Sequence, residues 1–183
     1  MALELDESIR NRLVAAQEAL ASAGARVRWV APRNLHLTIK FLGDVEDRFL
    51  GEVCDIAARS AAQVEPFEFA VAGLSAVPPA GNLRMIWAGI DDSTGRLGRL
   101  NALLEAACES LGFKAERRGF RPHLTLGRVK GAQGVAALRA AAAERAGDDF
   151  GVQTVGELAV FSSVLDPKGP IYTRLSAAPL GGQ

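Results

Sequence analysis

Apolar positions along the chain fall into two rhythms, one helical and one alternating. From Glu7 to about Ala23, the residues Ile9, Leu13, Ala16 and Leu20 share one face, which predicts a helix with Asp6 as N-cap and Gly24 at its end. A second helix is predicted from about Glu46 to Ser60, with Asp44 as its cap. A third runs from Thr94 to Leu111, where Leu97, Leu100, Leu104 and Leu111 form a stripe, and an alanine-rich fourth covers about Gly134 to Ala146. Strands are predicted at Val27–Val30, Leu35–Phe41, Phe67–Gly73, Arg84–Ile90 and Arg121–Val129. Short strands follow near Gly151–Gln153, Glu157–Leu165 and Ile171–Ser176, with turns at Pro32-Arg33-Asn34, Pro78-Pro79-Ala80-Gly81 and Pro167-Lys168-Gly169-Pro170. Helices and strands are mixed without strict βαβ repetition, so the expected class is α+β with antiparallel sheet.

Alternation also sorts the side chains within two of these strands. In the first, His36, Thr38 and Lys40 fall on one face, and Leu35, Leu37, Ile39 and Phe41 on the other, which is expected to be core. The second places His123 and Thr125 on one face, with Leu124 and Leu126 on the other. Both strands therefore carry a His-Leu-Thr-apolar tetrad, 87 residues apart, and each is followed by a short turn and a helix. The chain has two histidines and five threonines in 183 residues, so a chance match of both tetrads is about one in a thousand. The repeat predicts two related lobes facing each other, with the polar pairs in an open cleft, since burying them unpaired costs several kcal/mol.

Composition narrows the chemistry. Hydrophobic residues make up 49% and charged residues 23%, an ordinary globular balance. Lys plus Arg equals Asp plus Glu at 21 each, so net charge offers no long-range capture of a polyanion. No apolar run reaches the ~20 residues that span a bilayer, and the N-terminus has neither the basic nor the apolar region of a signal peptide. The expected location is the cytoplasm, with no membrane partner. Cys54 and Cys108 stand alone in apolar, alanine-rich segments and read as reduced thiols. Two histidines without carboxylate company make a poor metal site, so no metal and no cofactor are expected. Two imidazoles and two hydroxyls converging on one space make an anion cage with an acid on one side and a base on the other. In-line attack at phosphorus needs that pair.

The segments Trp29-Val30-Ala31-Pro32-Arg33-Asn34-Leu35-His36-Leu37-Thr38-Ile39-Lys40-Phe41-Leu42-Gly43 and Phe120-Arg121-Pro122-His123-Leu124-Thr125-Leu126-Gly127-Arg128-Val129 carry a resemblance. The chain resembles the RNA 2′,3′-cyclic phosphodiesterase / 2′-5′ RNA ligase family of two-histidine phosphoesterases. Phe161–Leu165 with Gly169–Tyr172 looks like that family's closing hairpin. The resemblance implies one bilobal α+β domain over residues 1–183, with two pseudo-symmetric antiparallel lobes, helices outside, and both tetrad strands in a central cleft. It implies metal-independent opening of terminal 2′,3′-cyclic phosphates to 2′-phosphates on RNA or oligonucleotide ends, tRNA halves among them, by a monomer. Reversible 2′-5′ ligation is implied as well.

By the same resemblance His36 is the general acid on the departing 3′ oxygen, His123 is the general base on water, and Thr38 and Thr125 hold phosphate oxygens. Arg128 matches a basic position of the family and is a further phosphate contact, although plain alternation turns it toward the core. Lys40 and the cluster Arg117, Arg118 and Arg121 are candidate RNA contacts weighed against solvated surface charge. Phe41 and Trp29 are weighed between base stacking and core, with core favoured for Phe41. Only Ala2-Leu3-Glu4-Leu5 precedes Asp6, where family members open with a longer strand, so either a shortened sheet edge or a misplaced start is expected. Rival readings are a phosphodiesterase for small cyclic nucleotides such as ADP-ribose cyclic phosphate, and a non-catalytic module that binds RNA ends.

Overall fold

The computed structural model describes residues 1–116, 119–166 and 169–181. In chain order its elements are β1 (Ala2–Glu4), α1 (Glu7–Ala21), β2 (Val27–Trp29), β3 (His36–Thr38), α2 (Leu50–Ala61), β4 (Phe67–Val77), β5 (Met85–Asp91), α3 (Arg96–Ser110), β6 (His123–Val129), α4 (Val135–Glu144), β7 (Asp149–Val155), β8 (Glu157–Asp166) and β9 (Gly169–Pro179). They form a four-stranded sheet, ordered β3-β1-β8-β9, and a five-stranded sheet, ordered β2-β6-β5-β4-β7. Every strand pair is antiparallel, as expected for an α+β chain. The two tetrads fall one to each sheet, His36 on β3 and His123 on β6.

The helices follow their apolar stripes. Ile9, Leu13, Ala16 and Leu20 of α1 are buried, and α1 and α4 pack beside each other against the five-stranded sheet. Leu97, Leu100 and Leu104 of α3 are buried too; α3 packs on α2, which lies against β8 and β9. Buried side chains from both sheets and all four helices form one continuous core. Two helix starts shift inward. Phe49 N–H closes a tight turn on the Glu46 carbonyl, so the α-helical geometry of α2 begins only at Leu50. Asp92 precedes α3 and bonds the N–H groups of Thr94 and Leu97 with its two carboxylate oxygens, which moves the helix start past Thr94.

The structure corrects three expectations. The short opening strand is no sheet edge: β1 lies between β3 and β8, and Met1 extends its pairing by accepting both Ile39 N–H and Lys40 N–H on one carbonyl. Those two successive bonds bend the chain at Ile39, so β3 ends at Thr38 and the alternation read through Phe41 stops. Phe41 is consequently 79% exposed, not core. Lys40 leaves the His36 face and is only 3% exposed. Its Nζ sits 2.6 Å from Glu105 Oε2 of α3 and donates to the Lys114 carbonyl at 3.1 Å. A solvated or RNA-facing Lys40 is therefore ruled out; it is half of an internal ion pair. Of the predicted turn Pro167-Lys168-Gly169-Pro170, Pro167 and Lys168 lie outside the described residues, and Gly169 and Pro170 open β9. Among the described residues no helix is long and apolar enough to cross a membrane.

Candidate active site

Each tetrad histidine is oriented by the same local device. His36 Nδ1 lies 2.9 Å from the Asn34 carbonyl, and His123 Nδ1 lies 2.8 Å from the Arg121 carbonyl, in both cases two residues upstream. A carbonyl only accepts, so Nδ1 carries the hydrogen in each ring, and Nε2 is the nitrogen left for chemistry. Neutral His36 accepts the Thr38 hydroxyl on Nε2 at 3.1 Å. The two strands that carry the rings, β3 and β6, approach each other across the gap between the sheets. Thr38 is exposed and Thr125 half-buried, both on the face of their own histidine.

Aromatic neighbours fix the rings from the side. The Trp87 indole of β5 stacks on His123, with centroids 3.6 Å apart and planes 20° from parallel. The register explains this contact, because Trp87 stands opposite Thr125 and Gly89 opposite His123, which puts the indole and the imidazole on one face of neighbouring strands. Tyr172 meets His36 edge-on at 5.0 Å, and Phe161 stacks obliquely at 6.3 Å. Both belong to the β8–β9 hairpin, which Asn34 fastens to the start of β3 by donating Nδ2–H to the Pro170 carbonyl at 2.9 Å.

Burial lowers both imidazole pKa values from the ordinary level near 6.5. The Asn34 and Arg121 carbonyls partly offset that by favouring the charged rings. The Arg128 guanidinium lowers His123 further. The free protein therefore holds its histidines neutral more readily than isolated imidazoles would be.

Arg128 reaches this face because β6 is bulged. Trp87 pairs with Thr125 and Ile86 with Gly127, so Leu126 is surplus. Before the bulge the site face carries His123 and Thr125; after it the phase slips by one, and Arg128 stands opposite Met85 on that same face. Arg128 Nη1 lies 3.6 Å from Met85 Sδ. The objection from plain alternation is thereby removed. The surplus residue is tied down: the Leu126 carbonyl accepts Val30 N–H at 2.8 Å and buried Gln17 Nε2–H at 2.8 Å, while Gln17 also donates to the Val30 carbonyl at 3.0 Å. Gly127 must be small, since a Cβ there would lie 2.7 Å from the Trp29 ring. Trp29 is thus a packing residue, half-buried against the core, and does not offer its face to a base.

Of the other candidates, Arg121 is exposed and contributes its carbonyl, whereas Arg117 and Arg118 lie outside the described residues. Among the described residues no three of His, Cys, Asp and Glu gather as a metal site. Cys54 and Cys108 are unpaired, with Cys108 buried. Sequence reasoning missed Trp87, Gln17 and Arg28, which faces Arg128 in register from β2. Only strand register and long-range pairing reveal them, and neither leaves a local signal.

Comparison with known proteins bears on this arrangement. The model of a family described as "LigT like Phosphoesterase" matches residues 3–87 and 89–172. A curated relative named RNA 2′,3′-cyclic phosphodiesterase, from Methanothermobacter thermautotrophicus, is 35% identical over 96% of this chain and 94% of its own length. Another of that name, from Thermus thermophilus, is 32% identical over 100% of this chain and 89% of its own. A crystal structure of a Thermus thermophilus protein superposes with a TM-score of 0.83 at 29% identity, covering 100% of this chain and 97% of that one. The E. coli LigT structure complexed with 3′-AMP gives a TM-score of 0.76 at 23% identity, over 98% of this chain and 95% of that one, a likeness of fold.

Proposed function

The chain belongs to the LigT-like phosphoesterase family, and from that premise we propose that it opens 2′,3′-cyclic phosphates at RNA or oligonucleotide ends to 2′-phosphates by acid–base catalysis between its two histidines. The observation that carries this reading is the matched pair of imidazoles, each locked with Nδ1–H on a carbonyl and Nε2 turned away from it, toward the Thr38 hydroxyl in His36. The curated relatives bearing the name RNA 2′,3′-cyclic phosphodiesterase support the choice of substrate.

The chemistry assigned to each group follows from its place. Thr38, Thr125 and Arg128 hold the non-bridging phosphate oxygens, by two hydroxyl donors and one guanidinium. His123 Nε2 removes a proton from water, whose oxygen forms the new bond to phosphorus. The bond from phosphorus to O3′ breaks, and protonated His36 gives its Nε2 proton to that oxygen. The 2′ bond survives, leaving a 2′-phosphate and a 3′-hydroxyl. The histidines end with protonation states exchanged and are reset by solvent. If a 5′-hydroxyl takes the place of water, the same steps yield a 2′-5′ linkage, so ligation and its reversal use the same groups. The reading needs no metal, since imidazoles and one guanidinium supply both proton transfer and charge stabilisation.

Product analysis of a 2′,3′-cyclic dinucleotide, with and without EDTA, tests the proposal. The expected result is a 2′-phosphate as sole product at an unchanged rate in chelator. A 3′-phosphate product, or loss of turnover in EDTA, contradicts it; tight product-end binding without turnover points to the non-catalytic module instead. In the same assay kcat/KM follows a bell against pH, because one ring must be charged and the other neutral. Both pKa values are lowered, so the maximum is expected on the acid side of about 6.5. Arg128→Gln removes a cation that disfavours charged His123, and should move the limb governed by His123 to higher pH while leaving the other in place.

A further inference from the structure

Beyond the tetrads, the face of the five-stranded sheet that carries His123 and Thr125 continues into a ladder of cations. Arg28 stands opposite Arg128 in the β2–β6 register. One step further Lys130 N–H bonds the Arg26 carbonyl at 2.7 Å, which sets Arg26 opposite Lys130 on the same face. Two like-charged cross-strand pairs therefore lie in succession, each step about 6.6 Å along the strands at a rise of ~3.3 Å per residue. Like charges placed directly opposite destabilise a sheet, and among the described residues no ion pair to Arg26, Arg28, Arg128 or Lys130 offsets the two pairs. Arg26, Arg28 and Lys130 border a hollow of about 680 Å³, open to solvent. Arg28 leans across the gap between the sheets, so that a Cβ on Gly169 at the start of β9 would lie 3.6 Å from its Nη2.

The opposite direction along this face has the other polarity. From Trp87 and Gly89, β5 leads to exposed Asp91, and the neighbouring strand β4 carries Glu68 on the same side. A chain with zero net charge thus gathers four cations on the β2–β6 side of this face, whereas the other end carries Asp91 and Glu68 beside exposed Arg121. A polyanion whose end sits at the two histidines is guided toward β2 and β6, and away from Asp91.

We propose that Arg26, Arg28 and Lys130 form an upstream phosphate site, which holds the RNA strand 5′ of the reacting end and makes an oligonucleotide a better substrate than a cyclic mononucleotide. The inference rests on the proposed reaction and adds the direction and minimum length of the substrate. Single-stranded RNA is the class that fits, since it presents regularly spaced phosphates and a free end at once.

The test compares the wild-type chain with the surface double variant Arg26→Gln/Lys130→Gln on two substrates, a 2′,3′-cyclic mononucleotide and a single-stranded octanucleotide with a 2′,3′-cyclic end. The expected result is that the ratio of kcat/KM for octamer over mononucleotide falls about tenfold in the variant. The salt dependence of log KM for the octamer should flatten by about 1.4, at ~0.7 per single-strand phosphate contact for two lost contacts. The exchange Arg26→Lys/Lys130→Arg keeps both charges and should restore the ratio. A ratio and a salt slope that match wild type overturn the proposal. Fluorescence anisotropy of a labelled octamer ending in a 2′-phosphate reads the same ladder without turnover. Weaker, less salt-sensitive binding by the double variant supports the upstream site even if the hydrolysis reading fails, and identical binding overturns it even if hydrolysis stands.

Discussion

His36→Ala and His123→Ala are each expected to lower kcat on a 2′,3′-cyclic dinucleotide by about 10²–10⁴-fold, the range in which a positioned acid or base contributes. Combining the two should cost little more than the worse single change, because two groups acting in one transition state do not contribute additively. The single variants also separate the roles. A phosphodiester with a nitrophenyl leaving group departs without a proton. On that substrate His36→Ala should recover most of its activity and His123→Ala should not. Equal recovery in both would show that the acid and base assignments, which rest on family likeness, are wrong. Full activity of both variants on the natural type of substrate would remove the two-histidine mechanism altogether. Burial disfavours the charged form of both rings; at His123 the Arg128 guanidinium adds to this, while at His36 the N-terminal ammonium adds to it and Glu4 opposes it, with Thr38 on Nε2.

Stability should depend most sharply on Glu105. Lys40 is 3% exposed and Glu105 is its ion-pair partner at 2.6 Å. Glu105→Leu leaves an ammonium inside the protein with one remaining acceptor, the Lys114 carbonyl, and is expected to cost about 3–5 kcal/mol, as for other broken buried pairs. In a chain of this size that corresponds to a fall in Tm on the order of 10 °C. The double variant Lys40→Met/Glu105→Leu removes both charges and should regain most of the loss. Thermal unfolding by circular dichroism measures all three. A Glu105→Leu chain as stable as wild type would mean that water already reaches Lys40. The location gives the pair a further role: with Asn101, which donates to the Ile39 carbonyl at 2.8 Å, it fastens the bend after β3 to α3, directly behind the His36 strand.

The sequence made the two tetrads and the helical stripes plain because both depend on local periodicity. His36, Thr38, His123 and Thr125 share faces as alternation requires, and Ile9, Leu13, Leu97 and Leu104 are buried as their spacing requires. What alternation missed has one kind of cause, a long-range bond that changes the phase of a strand. The Met1 carbonyl accepts two N–H groups and turns Lys40 inward and Phe41 outward. Pairing with β8 makes a three-residue opening strand internal where an edge was expected. The cation ladder was invisible for the same reason: Arg26 and Arg28 stand about a hundred positions from Lys130 and Arg128, and only pairing of β2 with β6 assembles them.

The surplus residue in β6 has a consequence for counting. Two residues on one face of a regular strand are separated by an even number of positions, yet Thr125 and Arg128 are separated by three. That odd interval is a readable mark of the bulge. A relative that keeps both tetrads and the interval of three but pairs this strand without the bulge would align as well as this chain, and its arginine would point into the interior. Transplanting the site to another scaffold therefore means transplanting an interval, together with the glutamine that pins it, as well as five side chains.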